Sequence, residues 1–208
     1  MSYTAFKERF GIELNAQQEE AVQAIDGSVL LLAVPGSGKT TVLVNRLGYM
    51  ILECGIAPEN ILTITYTDAA TKDMKQRFAK KFGDQYGERV EFRTINGISQ
   101  KILMFYGRQI GQKPYDIIDK KVQASLFKNI YKHVTKKFAT EGDIKNIETG
   151  INYVKNMRLS DEQISELKTD VERFADIYNL YQSELRKMKL MDYDDQMLYA
   201  YTMLQKSP

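Results

Sequence analysis

One stretch of the chain has a distinct chemistry: Ala33-Val34-Pro35-Gly36-Ser37-Gly38-Lys39-Thr40. Two glycines spaced two apart let backbone N–H groups converge on phosphate oxygens, where any side chain would intrude. The lysine that follows reaches the β- and γ-phosphates, and the threonine hydroxyl ligates Mg²⁺. The pattern predicts a nucleoside triphosphate with Mg²⁺, held by Ala33, Val34, Pro35, Gly36, Ser37, Gly38, Lys39, Thr40 and Thr41. Lys39 and Thr40 are the groups expected to act on the phosphates, and Thr40 is the expected metal ligand. The first position is Ala33, where the usual pattern has glycine.

Such a loop requires a strand before it and a helix after it, and the flanking residues meet both demands. Val29–Val34 is uniformly apolar, as a strand buried on both faces should be. Thr40–Leu52 places Val42, Leu43, Arg46, Leu47, Met50 and Ile51 at helical steps. The positive end of that helix then faces the same anion. Two more β-rich runs, Ile61–Thr67 and Val90–Ile95, flank a helical pattern at Asp68–Phe82 with Ala70, Met74, Phe78 and Phe82 on one stripe. Strand alternating with helix predicts an α/β fold, a parallel sheet with helices on both faces. After about residue 107 the β signal disappears, and Asp119–His133, Asp143–Met157, Asp161–Lys189 and Asp194–Leu204 read as helices. In the longest, Val171, Phe174, Tyr178, Tyr181, Leu185 and Met188 form a seam toward a core. The break near Gly107–Pro114 is either a domain boundary or the start of an insertion.

Composition sets the limits on function. The chain has 208 residues, 43% hydrophobic and 27% charged, the balance of a globular protein. Its longest apolar run is Val29–Val34, too short to span a bilayer. No secretory signal precedes the loop, and the single cysteine, Cys54, forms no internal disulfide, so a reducing, cytoplasmic setting is expected. Cys54 reads as inert packing and the single histidine, His133, as surface. The net charge of +2 is unevenly spread: Lys72–Lys113 holds ten Lys/Arg against four Asp/Glu. That basic middle reads as a polyanion footprint or as solvated helix faces. ATP hydrolysis also needs a carboxylate at the end of a neighbouring strand, and no apolar strand of the chain ends in Asp-Glu.

Several segments, in order, resemble UvrD/PcrA/Rep-type superfamily 1 DNA helicases. Leu14-Asn15-Ala16-Gln17-Gln18-Glu19-Glu20-Ala21-Val22 resembles their glutamine motif, with Gln18 as the motif residue and Gln17 as the alternative. A glutamine amide supplies the donor and the acceptor that match adenine N7 and N6. Thr65-Tyr66-Thr67-Asp68-Ala69-Ala70 is similar to the family's motif Ia, and Thr94-Ile95-Asn96-Gly97 to its motif Ib. The resemblance implies that Tyr66, Thr67, Asp68, Thr94 and Asn96 bind single-stranded DNA, by stacking and by phosphate contact. Asp68, Ala69, Ile95 and Asn96 depart from the family's usual residues there. Met191-Asp192-Tyr193-Asp194-Asp195-Gln196-Met197-Leu198 resembles the family's segment where the chain returns to the first motor domain.

The resemblance implies a P-loop NTPase fold of the RecA-like kind with an all-helical inserted subdomain. Residues 1–106 would form the first ATP-binding domain, 107–190 the helical insert, and 191–208 the return. It further implies an ATP-dependent 3′-to-5′ DNA helicase acting at single-stranded DNA and at single-strand/duplex junctions, with no membrane partner. The family's Walker B strand and second motor domain lie beyond Pro208, so the fragment alone is expected to be inactive. Two rivals remain from the residues themselves: a nucleotide-gated binding module without catalysis, and a P-loop kinase.

Overall fold

A computed structural model describes residues 3–206 of the chain. The chain divides into two compact units, one extending to Ile98 and the other starting at Ser99.

In the first unit, β1 (Leu62–Thr65) and β2 (Glu91–Thr94) pair in parallel, with Leu62 opposite Glu91 and Thr65 opposite Thr94. Parallel neighbours need a crossover, here supplied by α4 (Asp68–Phe82) and the single turn α5 (Asp84–Gly87). Thr67 starts α4 by accepting a hydrogen bond from the Ala70 amide at 3.1 Å. Met74, Phe78 and Phe82, four apart, are buried against Val44, Leu47 and Ile51 of α3 (Lys39–Leu52). Ala70, the fourth member of the expected stripe, is exposed because it lies in the first turn, short of that core. A Cβ on Gly48 would lie 2.3 Å from Phe82 Cζ, so α3 meets the ring only because position 48 has no side chain. The N-terminal helix α1 (Tyr3–Phe10) seals the same cluster, with Phe6 stacked on Phe82 at 5.9 Å. A second short helix, α2 (Ala16–Gln23), packs beside α3.

One expectation fails in this unit. Val29–Val34 forms no β ladder among the described residues, and Leu30, Leu32 and Val34 are 80%, 82% and 71% exposed. Hydropathy marks a segment that gains by burial, but a strand exists only where neighbours complete its backbone hydrogen bonds. β1 and β2 pair with each other, and this segment joins neither of their outer edges. Cys54 also differs from expectation: it is exposed, just past the end of α3.

The second unit begins within α6 (Ile95–Gln109) and continues through α7 (Lys120–Thr135), α8 (Glu141–Met157), α9 (Asp161–Glu166), α10 (Phe174–Met188) and α11 (Tyr193–Lys206). Side-chain caps set the starts of three of them: Asp119 for α7, and the reciprocal pairs Thr140/Asp143 for α8 and Ser160/Gln163 for α9. Phe127, Ile130, Ile147, Ile151, Ile177, Tyr181 and Leu185 form its core. The unit is not all-helical. β3 (Asp116–Ile117) pairs in parallel with β4 (Leu190–Met191), joining the segment that enters the helical hairpins to the one that leaves.

The helix expected over Asp161–Lys189 is broken at residues 167–173. The Thr169 hydroxyl accepts from the Val171 amide at 3.2 Å and donates to the Val171 carbonyl at 3.1 Å, a local arrangement that competes with the helix. Val171 still reaches the core, as do Phe174, Tyr181 and Leu185, while Met188 is exposed.

Buried polar groups fix the exit from α10. The Lys155 ammonium contacts Asp192 Oδ2 at 2.5 Å and Asp195 Oδ1 at 2.8 Å. The Tyr181 hydroxyl donates to Asp192 at 3.0 Å and accepts from Gln123 Nε2 at 2.7 Å. Asp192 and Asp195 also cap each other's backbone amides at the start of α11. Burial pushes the Asp195 carboxyl up, against the pull of Lys155, and pushes the Tyr181 hydroxyl well up.

Candidate nucleotide-binding site

The phosphate-loop residues lie between α2 and the first turn of α3. Gly36 and Gly38 take left-handed φ values of 80° and 82°, which side chains rarely adopt. Ser37 folds the loop on itself, its amide donating to the Val34 carbonyl at 3.2 Å and its hydroxyl to the same oxygen at 2.8 Å. α3 then starts at Lys39 with no side-chain cap and no acidic residue in its first turn. Its leading N–H groups are therefore open to an anion, on which the helix dipole also acts.

Lys39 turns back over the loop. Its ammonium donates to the Ala33 and Val34 carbonyls, both at 2.8 Å. Neutral carbonyls leave the charge uncompensated, so an arriving phosphate has a cation to meet and only neutral hydrogen bonds to displace.

Gln18 links α2 to the loop. Its Oε1 accepts from the Asn15 amide at 3.1 Å while Asn15 Oδ1 accepts from the Gln18 amide at 2.9 Å, the capping box that starts α2. Its Nε2 donates to the Ser37 carbonyl at 3.0 Å. The amide plane is thus fixed from both sides, with one N–H and one lone pair still available to a base.

These groups line a cavity of about 430 Å³ in which Asn15, Gln17, Gln18, Ser37 and Lys39 are joined by apolar Leu30, Leu31, Leu32, Ala33, Val34 and Val42. Pro35, Gly36, Gly38 and Thr40 belong to the loop and its junction with α3 but do not line that cavity. Thr41 faces a separate cavity beside Asn45, Arg77 and Lys81. Among the described residues no three His, Cys, Asp or Glu side chains cluster to hold a metal ion. Asn15 was not among the expected site residues, and its signal was its place three residues before Gln18 in a capping pattern.

The residues expected to meet DNA come from one end of the sheet. Thr65 and Thr94 are register partners, so the chain leaves β1 and β2 side by side. Tyr66 is 90% exposed directly after β1. Thr67 and Thr94 have structural tasks, accepting from the Ala70 and Gly97 amides at 3.1 Å each. Asp68 is exposed at the first position of α4, and Asn96 has a buried Oδ1 without a hydrogen-bond partner.

A glycine loop of this geometry feeding an uncapped helix has the form that can receive a phosphate, and the sequence comparison gives the family. The model of the UvrD/REP helicase N-terminal domain matches residues 14–208, so the chain belongs to that family. Among curated proteins it is 31% identical over 199 residues to an ATP-dependent DNA helicase PcrA of Staphylococcus aureus (strain Mu50 / ATCC 700699), covering 94% of this chain and 27% of the relative. It is 29% identical over 198 residues to the ATP-dependent DNA helicase PcrA of Leuconostoc citreum, covering 94% of this chain and 26% of that protein. The chain therefore spans about a quarter of the length of the curated relatives it matches. No helix among the described residues is long and apolar enough to cross a membrane.

Proposed function

We propose that this chain is the ATP-binding and single-stranded-DNA-binding N-terminal part of an ATP-dependent DNA helicase that translocates 3′ to 5′. The observation that carries the reading is the α2–loop–α3 junction. Gln18 is bonded to the loop carbonyl at Ser37, and Lys39 lies over the same loop beside an uncapped helix N-terminus. One junction thus offers an amide for adenine, an ammonium for the β- and γ-phosphates, and Thr40 for Mg²⁺. The polarity rests on the family resemblance alone.

In this reading residues 1–106 are the motor domain, 107–190 the helical insert and 191–208 the return. Tyr66, Thr67, Asp68, Thr94 and Asn96 form the edge over which single-stranded DNA passes, with Tyr66 as the stacking ring and the single-strand/duplex junction near the insert.

The test is equilibrium binding of a fluorescent ATP analogue to the 208-residue chain with Mg²⁺. Lys39→Ala is expected to weaken binding at least tenfold without moving the unfolding midpoint, and GTP is expected to compete poorly. Equal affinity for ATP and GTP, or no effect of Lys39→Ala, would overturn the reading. The chain alone is expected to hydrolyse ATP far below about 1 s⁻¹, the low end of ordinary enzyme turnover.

A further inference from the structure

The second unit contains a cavity of about 320 Å³ walled by the C-terminal half of α6, the loop after it, and α11. Tyr106, Tyr115 and Tyr199 line it together with Met191, Met203 and Arg186. The loop is pressed onto the helix: a Cβ on Gly107 would lie 2.4 Å from the Gln112 carbonyl, and the Gln112 amide donates to the Gly107 carbonyl at 2.8 Å.

Its chemistry is uneven in a useful way. Lys113, the other cation in the wall, is held by Asp116 at 3.0 and 3.1 Å. Arg186 has no carboxylate partner among the described residues. Burial pushes the Tyr199 hydroxyl up to about 12, and it stays a neutral donor across the physiological range. A phenol ring can stack on a planar ring system, and a guanidinium near the neutral Tyr199 hydroxyl suits a phosphate. The volume lies at the small end of ligand sites.

We propose that this cavity binds a free nucleoside monophosphate, base against the tyrosines and methionines, phosphate on Arg186. The site is separate from the phosphate loop and independent of the function proposed for it.

The experiment uses the chain carrying Lys39→Ala, so that the loop does not contribute, with its methionine methyls labelled with ¹³C. Titration with dTMP is expected to shift Met191 and Met203 while Met50 and Met74 of the first unit stay in place. Arg186→Gln is expected to weaken dTMP about tenfold, the effect of one charge-assisted contact, and to leave thymidine unchanged. Silence of both methyls at 10 mM dTMP would overturn the proposal, as would equal affinity for dTMP and thymidine. A thymidine octamer that moves these methyls where dTMP does not would assign the cavity to a strand and overturn the free-nucleotide reading.

Discussion

Two apolar segments of this molecule meet opposite fates. In the second unit Ile177 and Tyr181 are fully buried among α7, α8 and α10. In the first, Leu30, Leu32 and Val34 face solvent although their stretch is the most apolar in the chain. The difference lies in backbone partners. A helix closes its own hydrogen bonds and needs only a surface to bury its stripe, whereas a strand also needs a neighbouring strand to complete its backbone hydrogen bonds. The second unit has a complete core, and the first has a helical core on one side of a two-stranded sheet.

The sharpest way to break this contrast is a pair of truncations. Tyr181→Ala is expected to cost about 3–5 kcal/mol, since it empties a core position and removes the partner of Gln123 and Asp192. Leu32→Ala is expected to stay within about 0.5 kcal/mol, as an exposed side chain should. Urea unfolding followed by circular dichroism decides; comparable losses would mean that the first segment is buried in solution.

Lys155→Ala tests whether the second core depends on its ions. It strands the Asp192 and Asp195 carboxylates away from water and is expected to cost about 3–5 kcal/mol, with Lys155→Met no worse. A loss below 1 kcal/mol would show that water reaches the pair.

A smaller gain is expected at Lys189, which ends α10 in the left-handed conformation at φ 54°. Lys189→Gly removes that strain and should stabilise by about 0.5–1 kcal/mol, the strain relieved less the backbone entropy glycine adds. A lower urea midpoint would show that the lysine side chain holds the turn.

The smallest effect concerns pH. Burial, with the Asp192 charge, raises the Asp194 carboxyl above its ordinary value, and the Asn156 hydrogen bond opposes this. The folded chain holds that proton more tightly than the unfolded one, so stability falls as pH rises through the raised value. Asp194→Asn should therefore give a slightly higher urea midpoint at pH 7, and the gain should vanish below the ordinary aspartate range. A gain unchanged at low pH would assign the effect to packing.

The legible parts of the fold were those whose signal is local. β1, β2 and α4 follow from β-branched runs and a four-residue stripe, and the caps Asp119, Thr140 and Ser160 stand in the sequence beside the helices they start. The break before α10 was hidden because no Gly or Pro marks it; a threonine hydroxyl does the work. β3 and β4 are two residues each, too short for any periodicity. Lys155 reads as a surface residue of an amphipathic helix, and its partner Asp192 is 37 positions away. At the site, the turn of the loop was legible because two closely spaced glycines mark left-handed backbone. The bond from Gln18 to Ser37 was not, because pairing across 19 residues leaves no local pattern.

That bond has a consequence for genetics. Because one side chain both starts a helix and holds the loop, a Gln18→Ala allele removes two things together, and its phenotype identifies neither. Gln18→Glu keeps an oxygen for the Asn15 amide while deleting the donor to Ser37, so it separates the two functions. Of the two alleles, only the glutamate one distinguishes a protein that lacks the tie to the loop from one that lacks a well-formed α2.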